Sequence, residues 1–251
     1  MTIAVTRARP EKAAATSSPK QNQILAALPA EEYARLLPHL EHIVLPLGRV
    51  LYEPGAQMDY AYFPVTGIIS LLYVMHSGAS AEIAITGSEG LVGVSLFMGG
   101  ESTTSRAVAQ NASVSYRLKA DIVRREFALG GPLQYLALRY TQALMTQMTQ
   151  TAACNRHHTL DQQLCRWLLL SLDRLPDDEL TMTQQLIANM LGVDLEGVTE
   201  ALDKLQVGGT IRHKHGVITV MDRPSLEDRV CECYAVVKNE FSRLLPYKLA
   251  A

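Results

Sequence analysis

The stretch LTMTQQLIANMLGVDLEGVTEALDKLQVGGTIRHKHGVITVMDR, residues 180–223, decides the fold. Ile187, Ala188 and Leu191 recur at helical spacing, as do Val198, Ala201, Leu202 and Leu205. The two runs are joined at Gly192, where the left-handed backbone of a tight turn costs little. The Thr183 hydroxyl is placed to cap the first helix. GTIRHKHGVITV then reads as a two-stranded hairpin turning at His215-Gly216. Two short helices across a tight turn, followed by a β wing, form an arrangement that reads DNA by laying its second helix in the major groove.

Outward from this core, LDQQLCRWLLLSLDRL (160–175) is an amphipathic helix stopped by Pro176, so a domain is predicted over residues 158–245. Its last element, SLEDRVCECYAVVKNEFSRLL, reads as one helix. Before it, PLQYLALRYTQALMTQMTQTAACNRHH follows the Gly130-Gly131-Pro132 break and predicts a long helix over residues 131–157. Leu133, Ala137, Tyr140 and Leu144 follow a 3-4 alternation with Met148 beside them. That seam is expected to face a second copy of the chain, packing inside one domain being the alternative.

Between His42 and Leu118 the texture changes to brief β-prone runs separated by Gly, Pro and Asp: HIVLPLG, VLYEPG, YAYFPVTG, IISLLYVM, AEIAITG, SRAVAQ and SVSYRL. Many short strands at this spacing mean a jelly-roll-like barrel, here a β-roll domain over residues 21–130. Residues 1–20, rich in Ala, Ser, Thr and basic side chains without apolar periodicity, read as a mobile tail. The fold class is therefore α+β.

With 48% apolar residues in 251, the chain has ample material for packed cores. The formal charge of −2 supplies no global field toward nucleic acid, so any such contact is local. No stretch has the length of a membrane span and no signal-peptide core is present, so a cytoplasmic protein without membrane contact is expected. The four cysteines, Cys154, Cys165, Cys231 and Cys233, are too sparse for a disulfide framework and read as reduced thiols. A P-loop, a Rossmann glycine pattern and a nucleophile-base pair are all missing, which argues against an enzyme.

The 180–223 run resembles the winged helix-turn-helix of the Crp/Fnr regulators, and CNRHHTLDQQLCRWLLLSLDRL (154–175) resembles the helical lead-in of one branch of that family. With the upstream β-rich region and long helix in the same order, the resemblance covers about residues 22–245. It implies a homodimer whose β-rolls sense a signal, whose long helices pair and whose recognition helices enter successive major grooves of a palindromic operator, with RNA polymerase as a possible further partner. Carried over by position, Asp194, Leu195, Glu196, Gly197, Thr199 and Glu200 open the recognition helix, and Thr183 and Gln184 open the helix before it. Family members usually offer Arg there; this chain has a balance of −3 from Asp194 to Lys204. Arg212 and Lys214 on the wing, with Arg7, Arg9 and Lys12 of the tail, are the compensating cations. An adaptor that keeps the fold without DNA readout is the rival reading.

Cyclic-nucleotide sensors of this family carry a Gly-Glu-Leu motif, whose Glu binds ribose, and an Arg-Ser/Thr-Ala motif, whose Arg neutralises the cyclic phosphate. The matching stretch is EGLVGVSLFMGGESTTSRAVAQ (89–110), where Gly93 is followed by Val94 and Ser95, and Arg106-Ala107 lies near the phosphate position. These five residues mark the candidate effector pocket, for a ligand other than a cyclic nucleotide. No cofactor is expected: an iron–sulfur cluster needs about four thiolates, normally several near the N-terminus, and no cysteine precedes Cys154. Cys231-Glu232-Cys233 on a helix would point its thiols to different faces, so no metal site is expected there either. A small-molecule signal, or a redox signal at Cys154 or Cys165, stays open.

Overall fold

The structure, a computed structural model, describes residues 17–245. Short helices α1 (Gln23–Ala26) and α2 (Ala30–Leu36) precede seven strands, β1 (Glu41–Leu45), β2 (Val50–Tyr52), β3 (Tyr60–Thr66), β4 (Ile69–Val74), β5 (Ser80–Thr86), β6 (Ser105–Ala109) and β7 (Ser113–Lys119). They form two antiparallel sheets, ordered β1-β7-β3 and β2-β6-β4-β5. Leu45, Phe63 and Leu118 of one sheet share a core with Leu71, Ala84 and Ala107 of the other, so the β-roll is closed by apolar residues from both. Helix α3 (Ala120–Ala128) leads into the 26-residue α4 (Pro132–His157). Then follow α5 (Leu160–Leu172), β8 (Glu179–Thr181), α6 (Gln184–Leu191), α7 (Leu195–Val207), β9 (Ile211–Lys214), β10 (Val217–Val220), α8 (Arg223–Arg229) and α9 (Cys233–Leu244).

Residues 17–20, expected within the mobile tail, have defined contacts. Ser18 caps a 3-10 turn at Pro19–Gln21, and the fully buried Asn22 donates to the Pro64 and Gly90 carbonyls at 2.9 and 2.8 Å. Two carbonyls fixed by one amide side chain anchor this segment across the β-roll, which composition does not reveal. Arg7, Arg9 and Lys12 lie outside the described residues.

The seam expected to face a second copy faces the chain's own β-roll. Leu133, Ala137, Tyr140 and Leu144 are buried, and Met148 packs against the same core. Tyr140 is wholly enclosed, shares a hydrogen bond of 2.8 Å with Thr86, and lies so close to Gly90 that a Cβ there would sit 2.1 Å from its ring. Glu32, itself buried, accepts the Leu133 amide at 3.1 Å, placing a carboxylate at the N-terminus of α4 where the helix dipole favours it. The opposite face of α4 exposes Tyr135, Leu138, Gln142, Met145, Thr149 and Ala152, a second 3-4 alternation.

The expected terminal helix is broken as well. The chain leaves α8 in extended conformation at Val230 (φ −77°, ψ 152°) and becomes helical again at Cys233. From there α9 runs back along α4, with Gln142 donating to Glu240 and Arg139 to the Arg243 carbonyl, and delivers Leu244 and Leu245 into the β-roll core. The break turns Cys231 and Cys233 toward the same neighbours, against the expectation that one helix would part them.

Candidate nucleic-acid interface and its link to the β-roll

Thr183 caps α6 by accepting the Leu186 amide at 3.2 Å, and Gly192 ends it at φ +71°. The Asp194 carboxylate caps α7, accepting the Gly197 amide at 2.7 Å. At least one of the four carboxylates on this helix is thus an intrinsic part of its N-terminus. Gly197 lies where α7 crosses the lead-in helix α5 closely: a Cβ there would meet the tip of the Leu160 side chain at 2.8 Å. Val198, Ala201, Leu202 and Leu205 face inward, as their spacing requires. Leu195, Glu196 and Glu200 are exposed together at the start of α7.

The Thr199 hydroxyl lies 3.0 Å from Gln184 Oε1 and 2.9 Å from the Leu195 carbonyl and shares its one proton between them, so Gln184 and Thr199 link the two helices. Lys204, the one cation on α7, sits 3.4 Å from Asp161 on α5 and is turned away from the exposed start of the helix. The wing turn has His215 at φ +52° and Gly216 at φ +76°, the double left-handed geometry of a two-residue hairpin. A third strand absent from the sequence reading, β8, pairs with β10. Arg212 and Lys214 are exposed on the wing and form no ion pair among the described residues.

In the β-roll, Gly93 (φ +110°) starts a 3-10 turn over Val94–Leu96, with Val94 against the core and Ser95 half-buried. On β6, Ala107 and Ala109 join the β-roll core, whereas Val108 packs toward the C-terminal domain. Arg106 shares the Val108 face and pairs with Glu53 at 2.7 Å. The strand's alternation therefore separates Arg106 from Ala107, and the guanidinium is committed to a carboxylate on the outer face.

A family model described as a cyclic nucleotide-binding domain matches residues 42–128, and one described as a Crp-like helix-turn-helix domain matches residues 162–229. The chain belongs to the Crp/Fnr family. A Crp/Fnr-family transcriptional regulator from Eubacterium rectale superimposes with a TM-score of 0.67 at 16% identity, covering 84% of this chain and 98% of that one. FixK2 from Bradyrhizobium japonicum gives 0.65 at 17% identity, covering 76% and 98%. The c-di-GMP-responsive regulator CLP from Xanthomonas campestris gives 0.61 at 16%, covering 76% and 99%. At such identities the likeness speaks for the fold alone. No curated protein matches the chain at a significant level.

In this Crp/Fnr chain the two domains meet along β5, the edge strand of its sheet. Gln147 on α4 closes that edge as a further strand would, accepting the Ile85 amide at 3.3 Å and donating to its carbonyl at 3.0 Å. Ile68, Leu72 and Ile85 of the β-roll domain join Leu164, Leu168 and Leu191 of the helix-turn-helix half in one apolar cluster. The Gly192 turn reaches the start of β5, where an added Cβ would lie 3.2 Å from Ala81 Cβ.

Two polar contacts cross the same boundary, and sequence reasoning named neither. Arg174, at the end of α5, pairs with Glu89 at 2.7 Å, with both side chains largely buried. Trp167 donates its indole N–H to Glu82 Oε1 at 2.8 Å. Burial pushes the Glu82 carboxyl up to about 7, against the opposing pull of Ser70, Trp167 and the Arg166 charge. A carboxylate on β5 facing an indole on α5 offered no spacing signal in the sequence, since 85 residues separate them. No described helix is long and apolar enough to cross a membrane.

Proposed function

We propose that the chain is a homodimeric, cytoplasmic transcription regulator that binds a palindromic duplex DNA site and answers a small-molecule or redox signal other than a cyclic nucleotide. The observation that carries this reading is the exposed start of α7 beside a wing whose Arg212 and Lys214 are exposed and form no ion pair among the described residues. In this arrangement Asp194, Leu195, Glu196, Gly197, Thr199 and Glu200 lie along the major groove. Thr183 and Gln184 at the start of α6 approach the flanking backbone, and the wing cations contact phosphates. Glu196 is suited to accept from cytosine N4, a contact that leaves affinity to the wing.

Two copies meet through the exposed face of α4, where Tyr135, Leu138 and Met145 are each more than half exposed. Against a cyclic nucleotide stand Val94, where the family's ribose-binding acid belongs, and the outward Arg106–Glu53 pair. An RNA polymerase contact would follow from promoter binding. The acidic face of α7 favours a second reading, an adaptor on the same fold without sequence readout.

Selection of binders from a randomised duplex pool, followed by salt titration, tests the proposal. A palindromic consensus is expected, and replacing Arg212 and Lys214 with Ala should weaken binding equally on all sequences. Each cation removed from a phosphate should reduce the salt slope by about 0.9. Weak binding without consensus, in the presence and absence of cell extract, would favour the adaptor.

A further inference from the structure

We infer that Cys154, His158, Cys231 and Cys233 form a tetrahedral site for one zinc ion at the junction of the long helix and the DNA-binding domain. Their ligand atoms all lie within 4.8 Å of one another. The Cys154 and Cys231 sulfurs are 3.6 Å apart, and the Cys233 sulfur is 3.6 Å from His158 Nδ1. Zinc bonded tetrahedrally to three thiolates and an imidazole sets sulfurs about 3.8 Å apart and sulfur and nitrogen about 3.6 Å apart. The chain thus holds these atoms near coordination distance before any ion enters. An iron–sulfur cubane is a poor match, because its ligands radiate from four separate irons.

The orientation of His158 is an independent sign of ligation. Its Nε2 lies 3.2 Å from the Glu232 carboxylate, which accepts the ring N–H there. That contact selects the tautomer whose Nδ1 lone pair is free, and Nδ1 is the atom turned to the sulfurs. Charge points the same way. Three thiolates and a divalent ion carry a net −1, and Arg166, buried beside Cys154, has an Nε without a partner among the described residues. All three cysteines are buried and the histidine is mostly so, as in closed structural sites rather than catalytic ones with an open position.

On binding, the three thiols release their protons, His158 keeps its Nε2 proton, and no electrons move. The ligands come from the end of α4, the residue after it and the α8–α9 break, so the ion clamps the start of α9 to the junction at His158. Occupancy therefore stabilises the arrangement in which α9 returns along α4 to the β-roll.

The test is metal analysis of the full-length protein purified under reducing conditions without chelator, then cobalt(II) titration of the stripped protein. One zinc per chain is expected, with the visible ligand-field bands of tetrahedral cobalt and thiolate charge-transfer absorption. Cys231→Ser should lose both signals, while Cys165→Ser, which removes a buried thiol outside the cluster, should keep them. Glu232→Gln leaves all four ligands in place and should weaken metal affinity by about 10–100-fold, which keeps the test decisive if Cys231→Ser does not fold. Substoichiometric zinc without cobalt bands, equal metal content in Cys231→Ser and wild type, or a Cys154–Cys231 disulfide in place of bound metal would overturn the assignment. None of these readouts depends on DNA binding.

Discussion

The two faces of α4 carry apolar residues at the same spacing and lie in different surroundings. On the inner face, Leu133, Tyr140 and Leu144 are sealed into the β-roll core, and Gln147 closes the edge of β5. On the outer face, Tyr135, Leu138 and Met145 remain exposed, with α9 alongside at Arg139 and Gln142. Periodicity states that a helix has a seam; it does not state what the seam touches. A helix with two stripes is needed wherever one element must hold a domain together and also present a surface, and only the packing separates the two roles.

The difference can be broken by substitution on either side. Tyr140→Ala on the inner face removes a fully enclosed ring and its hydrogen bond to Thr86, and should lower folding stability by about 3–5 kcal/mol, read from urea denaturation. A loss below about 1 kcal/mol would mean the inner face is not a core.

Glu82→Gln probes the strand that the inner face grips. The folded state holds the Glu82 proton to about pH 7, whereas the unfolded chain releases it near the ordinary glutamate value. Wild-type stability should therefore fall as pH rises from about 4.5 to about 7 and be flat above. The variant should lack that slope and be more stable at pH 8, by something on the order of 2–3 kcal/mol. Parallel pH profiles for the two proteins would contradict the burial argument.

The smallest effect on folding belongs to the outer face. Leu138→Glu with Met145→Glu changes exposed positions, so the intrinsic stability of the monomer should shift by no more than about 0.5 kcal/mol. Its circular dichroism should match wild type while its association is lost. An unfolded variant would place these residues in a core.

Much of this architecture is legible in the residues. Gly192, the two apolar sets around it and the His215-Gly216 turn were enough for the winged helix, because each is a local signal with a local cause. The β-roll was legible as strand texture, and the lead-in helix from its amphipathic run. What escaped depends on contacts distant in sequence. Asn22 anchors its segment through the carbonyls of Pro64 and Gly90, and β8 exists because β10 accepts it. The chain breaks between Val230 and Cys233, so the closely spaced thiols that a helix would part are brought together. Arg106 was misplaced by motif proximity, although strand alternation sends it to the face opposite Ala107.

The outer face of α4 as the place where two chains meet is the claim on which paired recognition helices depend. Light scattering of wild type and the Leu138→Glu, Met145→Glu variant at micromolar concentration tests it most directly. The account predicts twice the chain mass of 27.6 kDa for wild type and a single chain mass for a folded variant. A monomeric wild type, or a dimer that survives both substitutions, would contradict it.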